Sequence, residues 1–186
     1  DAKALFVYIS TNAVFSGNNP PYSEDDNRNP VNAYGRIKRE AENLVMATRN
    51  WLVIRPFLLY GYPYPGGRSN WFVTIKSNLA IGKVTRSVND RYWQHTSALD
   101  MAQAVWELIA LGKKDEIYNV ASSDRLTLYD FGLAIAKHLK ADINLIQPIS
   151  SDDLPQGTAP RPVDTTYDLA KINSLDIKPN GVKKGL

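Results

Sequence analysis

The hydrophobic pattern of the chain begins with a continuous apolar run from Leu5 to Ile9. A run without polar alternation is typical of a strand that is buried on both faces of a parallel sheet. A second run of this kind spans Trp51 to Ile54 and ends at Arg55 and Pro56. Because a helical pattern lies between the two runs, the sequence predicts a strand-helix-strand unit with its ligand at the carboxyl ends of the strands.

The helix between these strands has the clearest periodicity in the chain. Asn29 is its predicted N-cap, and Pro30 lies in its first turn. One predicted face recurs at spacings of three and four residues and consists of Tyr34, Ile37, Lys38, Ala41, Leu44 and Val45. The charged residues Arg36, Arg39, Glu40 and Glu42 are expected on the other face.

The rest of the chain predicts further helices and strands in alternation. Predicted helices cover 70–81, ending at Gly82; 97–112, capped by Ser97 and carrying Leu99 and Trp106; and 127–140, opened by a capping box of Thr127 and Asp130. Predicted strands cover 83–88 and 117–120, a loop rich in Pro and Asp covers 149–162, and a short helical turn covers 168–172.

Composition narrows the class of protein. The 186 residues include 22 basic and 19 acidic side chains, and a net charge of +3 is too mild for a nucleic-acid binder. No apolar stretch approaches the ~18 residues of a membrane span. A signal peptide is not expected either, because the chain opens Asp1-Ala2-Lys3 before a short apolar run, so we expect a cytoplasmic protein without a membrane partner.

The chain offers little metal-binding chemistry. It has no cysteine and only two histidines, so disulfides and zinc knuckles are excluded and no metal site is predicted. His95 and His138 are expected to have packing or surface roles. The acidic residues 24–26 are expected to form a solvated turn, and Trp71, Trp93 and Trp106 to be core or interface aromatics.

Tyr34 and Lys38 are the candidate reactive pair. Their spacing of four residues places both side chains on one face of the predicted helix, one turn apart. A neighbouring ammonium favours the phenolate, which suits the pair to proton transfer. A hydroxyl at the end of the adjacent strand, from Thr11 or Ser10, would hold a substrate carbonyl against the phenol.

Several ordered motifs give this pair a context. They are Val7 to Gly17, Pro21 to Asp26, Pro30 to Lys38, Arg55 to Gly61, Asn70 to Phe72, Ser97 to Ala102 and Arg161 to Asp164. Together they resemble the extended short-chain dehydrogenase/reductase superfamily, and within it the dTDP-4-dehydrorhamnose reductase family. The resemblance covers nearly the whole chain.

The resemblance implies a reaction and a set of roles. It implies hydride transfer from NADPH or NADH to the C4 keto group of a nucleotide-linked deoxysugar, with a homodimer as a possible assembly. The implied catalytic residues are Thr11, Tyr34 and Lys38. The implied cofactor-binding residues are Ser10, Tyr34, Lys38, Pro56, Phe57 and Leu58. The implied substrate-binding residues are Thr11, Asn12, Ala13, Asn70 and Arg161, although composition alone makes Arg161 a surface residue.

The chain departs from the family pattern in two places. The family has Asp-Tyr after the catalytic Thr, whereas this chain has Asn12-Ala13, which leaves the sugar specificity open and argues against a 4,6-dehydratase. No Gly-rich turn of the G-x-G-x-x-G kind follows any predicted strand, so the residue that would choose between NAD and NADP is also lacking.

The expected fold class is therefore α/β: the C-terminal part of a Rossmann-like parallel sheet with a smaller mixed α/β substrate-binding region. Residues 1–61 and 96–121 are assigned to the dinucleotide-binding part, and residues 62–95 and 122–186 to the substrate-binding part. The N-terminal part of the family fold is expected to be missing, which would leave one edge and face of the sheet exposed and favour association.

Two other functions fit the same motifs. An epimerase of the same superfamily uses the same Tyr and Lys without net cofactor consumption. A non-catalytic alternative is the regulatory beta subunit of methionine adenosyltransferase, which resembles these reductases and keeps the Tyr-x-x-x-Lys pair. Asn12 and the segment 17–22 are compatible with that relative as well.

Overall fold

A parallel three-stranded sheet forms the centre of the molecule. The computed structural model describes residues 4–154 and 159–186. The strands β1 (Phe6–Ile9), β2 (Trp51–Pro56) and β6 (Glu116–Val120) lie in the order β1-β2-β6. Ile9 pairs with Ile54 in one ladder, and Arg55 pairs with Asn119 in the other. The predicted parallel strand-helix-strand unit and the α/β fold class are therefore confirmed.

Strand β1 is not buried on both faces, and this part of the prediction is wrong. Phe6 is 55% exposed and Ile9 is 44% exposed. Among the described residues β1 pairs with β2 alone, so it forms an edge of the sheet. Apolar side chains favour the burial of a strand, but the strand is buried only where a neighbouring element covers it.

The N-cap of helix α1 (Ala33–Met46) lies three residues later than predicted. Asn32 is the N-cap rather than Asn29, and its side-chain oxygen accepts a 2.9 Å hydrogen bond from the Gly35 amide. The predicted faces are also reversed in part. Gly35, Glu42 and Val45 are buried, whereas Tyr34, Ile37 and Leu44 are exposed. Glu42 is on the inner face because two arginines neutralise it there, as described below.

A second group of elements packs around helix α4. It comprises α2 (Trp71–Ala80), β4 (Thr85–Val88), α4 (Leu128–His138) and β7 (Ile146–Ile149). The short strands β3 (Leu59–Tyr60) and β5 (Thr96–Ser97) pair with each other, and α3 (Ala98–Ala110) packs in the apolar cluster on the three-stranded sheet. The caps Ser97 and Thr127 form as predicted, and Asp130 completes the capping box. Leu99 and Trp106 are largely exposed on α3, although their spacing predicts packed positions.

Strand β7 is absent from the sequence prediction. It pairs in parallel with β4, and Ile149, the first residue of the predicted loop, is its last residue. Two short elements follow, α5 (Ala170–Asn173), close to the predicted turn, and α6 (Val182–Gly185). The opening residues 1–3 and residues 155–158 of the predicted loop lie outside the described residues.

The buried apolar residues form two clusters. The first lies on the sheet and includes Leu52, Ile54 and Tyr118, together with Tyr167 and Ile172 from the C-terminal segment. The second joins α2, α4 and β7 and includes Ile75, Phe131 and Ile146. None of the helices within the described ranges has the length and apolar character needed to cross a membrane.

Candidate active site

The first part of the candidate site is a short 3-10 turn, Asn12–Val14, that follows the carboxyl end of β1. Thr11 caps this turn, and its hydroxyl oxygen accepts a 3.2 Å hydrogen bond from the Ala13 amide. The same hydroxyl lies 3.4 Å from the side-chain oxygen of Asn12. Thr11 is 8% exposed, so its side chain is held at the inner edge of the turn.

Helix α1 approaches this turn through Gly35. A side chain at position 35 would overlap the carbonyl oxygen of Ala13 and would lie 2.7 Å from the Cβ atom of Pro30. Only glycine allows the helix to come this close, and Tyr34, the residue before it, therefore lies beside the turn. Tyr34 is 56% exposed, which leaves its phenol open to a ligand.

Lys38 lies one turn further along α1, at the end of strand β1. Its ammonium group donates a 2.7 Å hydrogen bond to the carbonyl oxygen of Ile9 and lies 4.6 Å from the centroid of the Tyr8 ring. Ile9 is two residues before Thr11. The structure thus brings Thr11, Tyr34 and Lys38 to one edge of the sheet, where the resemblance expects them.

Ser10 is engaged within the protein. Its hydroxyl donates a 2.5 Å hydrogen bond to Glu42, and its amide donates to Ile54 at 2.7 Å. Glu42 also binds Arg55 through two hydrogen bonds, at 3.0 and 2.9 Å, and both side chains are fully buried. The cofactor role of Ser10 stays a prediction, and its side chain already has a partner.

A second carboxylate, that of Glu24, lies at the same end of the sheet. It is 8% exposed and accepts a 2.8 Å hydrogen bond from the Asn119 amide, so the expectation of a solvated turn at 24–26 is wrong for this residue. Burial raises the pKa of Glu24. For Glu42, burial alone would also raise the pKa, but the hydrogen bonds and charge of Arg55 and the hydrogen bonds of Ser10 and Arg28 hold it below its ordinary value.

The segment after β2 is more enclosed than the resemblance suggests. Phe57 is almost fully buried, and its ring packs edge-on against Tyr167 with 5.2 Å between centroids. The Tyr167 hydroxyl donates a 3.3 Å hydrogen bond to the carbonyl oxygen of Pro56. Leu58 is partly buried against the same cluster. Their place beside a nicotinamide stays a prediction. Because their side chains are buried or partly buried, such a contact would be made mainly by their backbone atoms.

The C-terminal segment crosses over the turn and the start of α1. Asn12 donates a 2.7 Å hydrogen bond to the Thr165 hydroxyl, and Asn32 donates a 2.9 Å hydrogen bond to the carbonyl oxygen of Pro160. Ala13 is only partly buried beside Asn12. These bonds connect the candidate reactive residues to Arg161.

Arg161 lines a cavity of about 360 Å³. Arg86 and Arg91, which no sequence motif indicates, line it too, and Trp71 and Trp93 contribute aromatic surface. The Nε atom of Arg91 is buried without a hydrogen-bond partner in the part of the chain that the structure describes. Three guanidinium groups and two indoles make a site suited to an anionic aromatic ligand.

Arg86 and Arg91 gave no signal in the sequence because each is a single basic residue on a short strand or in the turn that follows it. Asn70, by contrast, was predicted and is only next to the cavity. Its side-chain oxygen caps α2 through the amides of Phe72 and Val73, and its amide group donates to Gly61. Its substrate role stays a prediction.

Comparison with known proteins gives one family match. The model of the RmlD substrate binding domain family matches residues 1–186. The dTDP-4-dehydrorhamnose reductase of Mycolicibacterium smegmatis is 31% identical over 180 residues, which are 95% of this chain and 54% of the relative. The methionine adenosyltransferase 2 subunit beta of Xenopus tropicalis is 30% identical over 182 residues, 94% of this chain and 53% of the relative.

A solved structure supports the fold. The chain superposes on the dTDP-4-dehydrorhamnose reductase of Bacillus anthracis in complex with NADP with a TM-score of 0.89 and 23% identity. The match covers 98% of this chain and 63% of the solved chain. The chain thus spans about half the length of the two curated relatives and less than two thirds of the solved structure.

Proposed function

This chain belongs to the RmlD substrate binding domain family, and on that premise we propose that it carries the catalytic and substrate-binding residues of a sugar-nucleotide reductase. The proposed reaction is the NADPH- or NADH-dependent reduction of the C4 keto group of a nucleotide-linked deoxysugar. The observation that carries the proposal is the meeting of Lys38, Tyr34 and Thr11 at the carboxyl end of β1.

The residues at this edge fit the nicotinamide ribose of such a cofactor. The ammonium of Lys38 can donate three hydrogen bonds, and among the described residues it donates one, to Ile9. Two donors are therefore available for ribose hydroxyls. A Gly-rich turn for the pyrophosphate is not part of this sequence. When bound, the reduced nicotinamide supplies the hydride.

The side chains of this chain supply the proton and the orientation. The Thr11 hydroxyl and the exposed phenol of Tyr34 bind the keto oxygen of the sugar, which fixes the carbonyl carbon in place. Tyr34 then donates its proton to that oxygen as negative charge develops there. The positive charge of Lys38, one helical turn away, stabilises the phenolate that results. The product is the nucleotide-linked deoxysugar with a hydroxyl group at C4.

The arginine-lined cavity supports the nucleotide part of the proposal. Arg86, Arg91 and Arg161 complement a diphosphate, and Trp71 and Trp93 offer aromatic faces to a base. The hydrogen bond from Asn32 to Pro160 connects the cavity wall to the residue that caps the Tyr34 helix.

The same proposal assigns a ligand to each part of the chain. Residues 1–61 and 96–121 would bind the cofactor, and residues 62–95 and 122–186 would bind the substrate. The second apolar cluster supports it, since all its buried members except Tyr60 come from the ranges 62–95 and 122–186. The C-terminal residues Tyr167, Ile172 and Ile177 pack on the sheet instead.

The test is a reductase assay on the full native chain that contains this sequence. Oxidation of NADPH or NADH would be followed with a dTDP-4-keto sugar for the native protein, for Tyr34→Phe and for the control Tyr129→Phe on α4. We expect Tyr34→Phe to lower turnover by about 10²-fold or more and the control to leave it unchanged. Equal turnover in all three would refute the role of Tyr34. Product without cofactor consumption would indicate an epimerase.

One observation favours a second candidate function. The 30% identity to a methionine adenosyltransferase beta subunit is as high as that to the reductases, within one per cent. A non-catalytic regulatory subunit would show no reductase turnover. It would copurify with a methionine adenosyltransferase catalytic chain, and the Tyr34→Phe variant would copurify equally well.

A further inference from the structure

Glu42 is a completely buried carboxylate on the helix that carries the proposed reactive residues. It follows Tyr34 and Lys38 at successive intervals of four residues, so all three side chains lie along one side of α1. Its side chain is 0% exposed. Charged side chains are seldom fully buried unless they are paired, so the partners of Glu42 explain its position.

Four hydrogen bonds converge on the two carboxylate oxygens. Arg55 donates to both of them, Ser10 donates to Oε1 at 2.5 Å, and Arg28 donates to Oε2 at 2.9 Å. Arg28 is 22% exposed, while Arg55 is fully buried. The charge of Glu42 is thus matched by the bidentate guanidinium of Arg55 and by Arg28, and charge-assisted hydrogen bonds of this kind are about twice as strong as neutral ones.

These partners come from different elements that all end at the site. Ser10 follows the last residue of β1, and Arg55 is the penultimate residue of β2. The amide of Ser10 binds β2 through Ile54, and its hydroxyl joins this strand end to the helix, in addition to the bond from Lys38 to Ile9. Thr11 is the next residue. Any displacement of Ser10 relative to Glu42 therefore moves Thr11 relative to Tyr34 and Lys38.

We propose that Glu42 is a positioning residue, which fixes the end of β1 to helix α1 through Ser10 and thereby sets the distance between the Thr11 hydroxyl and the Tyr34 and Lys38 side chains. This inference rests on the proposed function for its effect on turnover. The geometry it describes is independent of that function.

A buried ion pair is weak evidence for stability, because a well-packed apolar substitute is often as stable. A geometric role explains better why three elements share one carboxylate. Reacting groups must be held within a fraction of an ångström, and small displacements lower turnover without unfolding the protein.

Two variants separate positioning from stability. Glu42→Gln leaves Arg55 buried without its counter-charge and is expected to lower the melting temperature as well as kcat. Ser10→Ala removes the hydrogen bond from Ser10 to the helix, while the Glu42–Arg55 pair and the bond from Lys38 to Ile9 stay intact. For Ser10→Ala we expect kcat to fall at least tenfold while KM for the sugar nucleotide changes less than twofold.

The matched control is Leu108→Ala. Leu108 is fully buried near the end of α3, and the loop that follows α3 binds Trp51, the first residue of β2, through the Asp115 amide, so this loop lies at the amino end of the strands, away from the site. Leu108→Ala is expected to lower the melting temperature at least as much as Ser10→Ala, with kcat unchanged at a temperature where both are folded. If kcat fell equally in both, or stayed at the native value in Ser10→Ala, the positioning role would be wrong.

A second measurement does not depend on turnover. Amide hydrogen exchange of Ala13, whose N–H is bound by the Thr11 hydroxyl, reports whether the turn keeps its geometry. We expect exchange of this amide to accelerate at least tenfold in Ser10→Ala and to be unchanged in Leu108→Ala. Unchanged exchange in Ser10→Ala would overturn the inference even if the native protein is no reductase, whereas absence of native turnover alone would refute only the proposed function.

Discussion

The α-carbon of Gly35 lies directly against the carbonyl oxygen of Ala13, so the helix that carries Tyr34 and the turn that follows Thr11 are in backbone contact. No side chain separates the two elements at this point. The close approach of the helix to this turn is therefore permitted by a residue that has no functional group. Glycine is required here for close approach and not for an unusual backbone angle.

We expect Gly35→Ala to destabilise the protein by about 1–3 kcal/mol, as overpacking against a rigid group does. The gain of about 1 kcal/mol in helix propensity from glycine to alanine offsets only part of this cost. The free energy of unfolding in urea is the measurement. Gly132→Ala in α4 is the comparison, because its added methyl group meets a side-chain atom, Cγ2 of Ile146 at 2.9 Å, rather than a backbone carbonyl, and should cost less. An equal loss of the free energy of unfolding at both positions would contradict the close contact between Gly35 and the carbonyl oxygen of Ala13.

His95 predicts a specific dependence of stability on pH. Its ring stacks on Phe131 at 4.0 Å and is fully buried, which lowers its pKa to about 3. Below about pH 6.5 the unfolded chain binds a proton here that the folded chain does not. His95 therefore does not lower the free energy of unfolding above pH 6.5. As the pH falls from 6.5 to 3, His95 lowers the free energy of unfolding of the native protein by roughly 1.4 kcal/mol for each pH unit.

The variant His95→Phe keeps the stacking and removes the titrating group. Relative to the native protein, its free energy of unfolding is expected to rise steadily as the pH falls from 6.5 to 4. His138→Phe is the matched control, since His138 is exposed. If the His95→Phe and native curves stayed parallel through this range, the buried neutral state of His95 would be refuted.

Glu42 predicts a dependence in the same direction but at lower pH. Because its folded pKa is held below the ordinary value of 4.5, it contributes stability above that value, which is lost as the pH falls through the folded pKa. Glu42→Gln should thus be most destabilising at neutral pH, and the difference from the native protein should shrink below about pH 4.5. Chemical unfolding at pH 7, 5 and 3.5 measures this. A difference that is constant over the three values would exclude an ionised Glu42.

The cavity predicts anion binding through Arg91, whose Nε atom is buried without a partner among the described residues. Replacing one charged donor of a bound phosphate costs about 1.5–3 kcal/mol, so Arg91→Gln should weaken binding of thymidine diphosphate about 10- to 100-fold. Titration calorimetry at two salt concentrations gives the affinity and its electrostatic part. The exposed Arg49 at the end of α1 provides the control Arg49→Gln. Equal affinity of the two variants for thymidine diphosphate would show that the nucleotide does not bind in this cavity.

The sequence by itself predicts those elements that are determined by residues close together in the chain. The continuous runs of β1 and β2, the caps Ser97 and Thr127, and the four-residue spacing of Tyr34 and Lys38 all appear in the structure as predicted. These features are decided by hydrogen bonds and side-chain periodicity within one or two turns, which a sequence displays directly.

Tertiary structure alone decided the rest. Glu42 belongs by periodicity to a charged outer face, yet it is buried because Arg55, 13 residues further along the chain, neutralises it there. Strand β7 and the meeting of Arg86, Arg91 and Arg161 around one cavity likewise depend on which distant segments come together. A sequence displays the polarity of each side chain, but burial and charge pairing are set by partners that only the folded chain brings within a few ångströms.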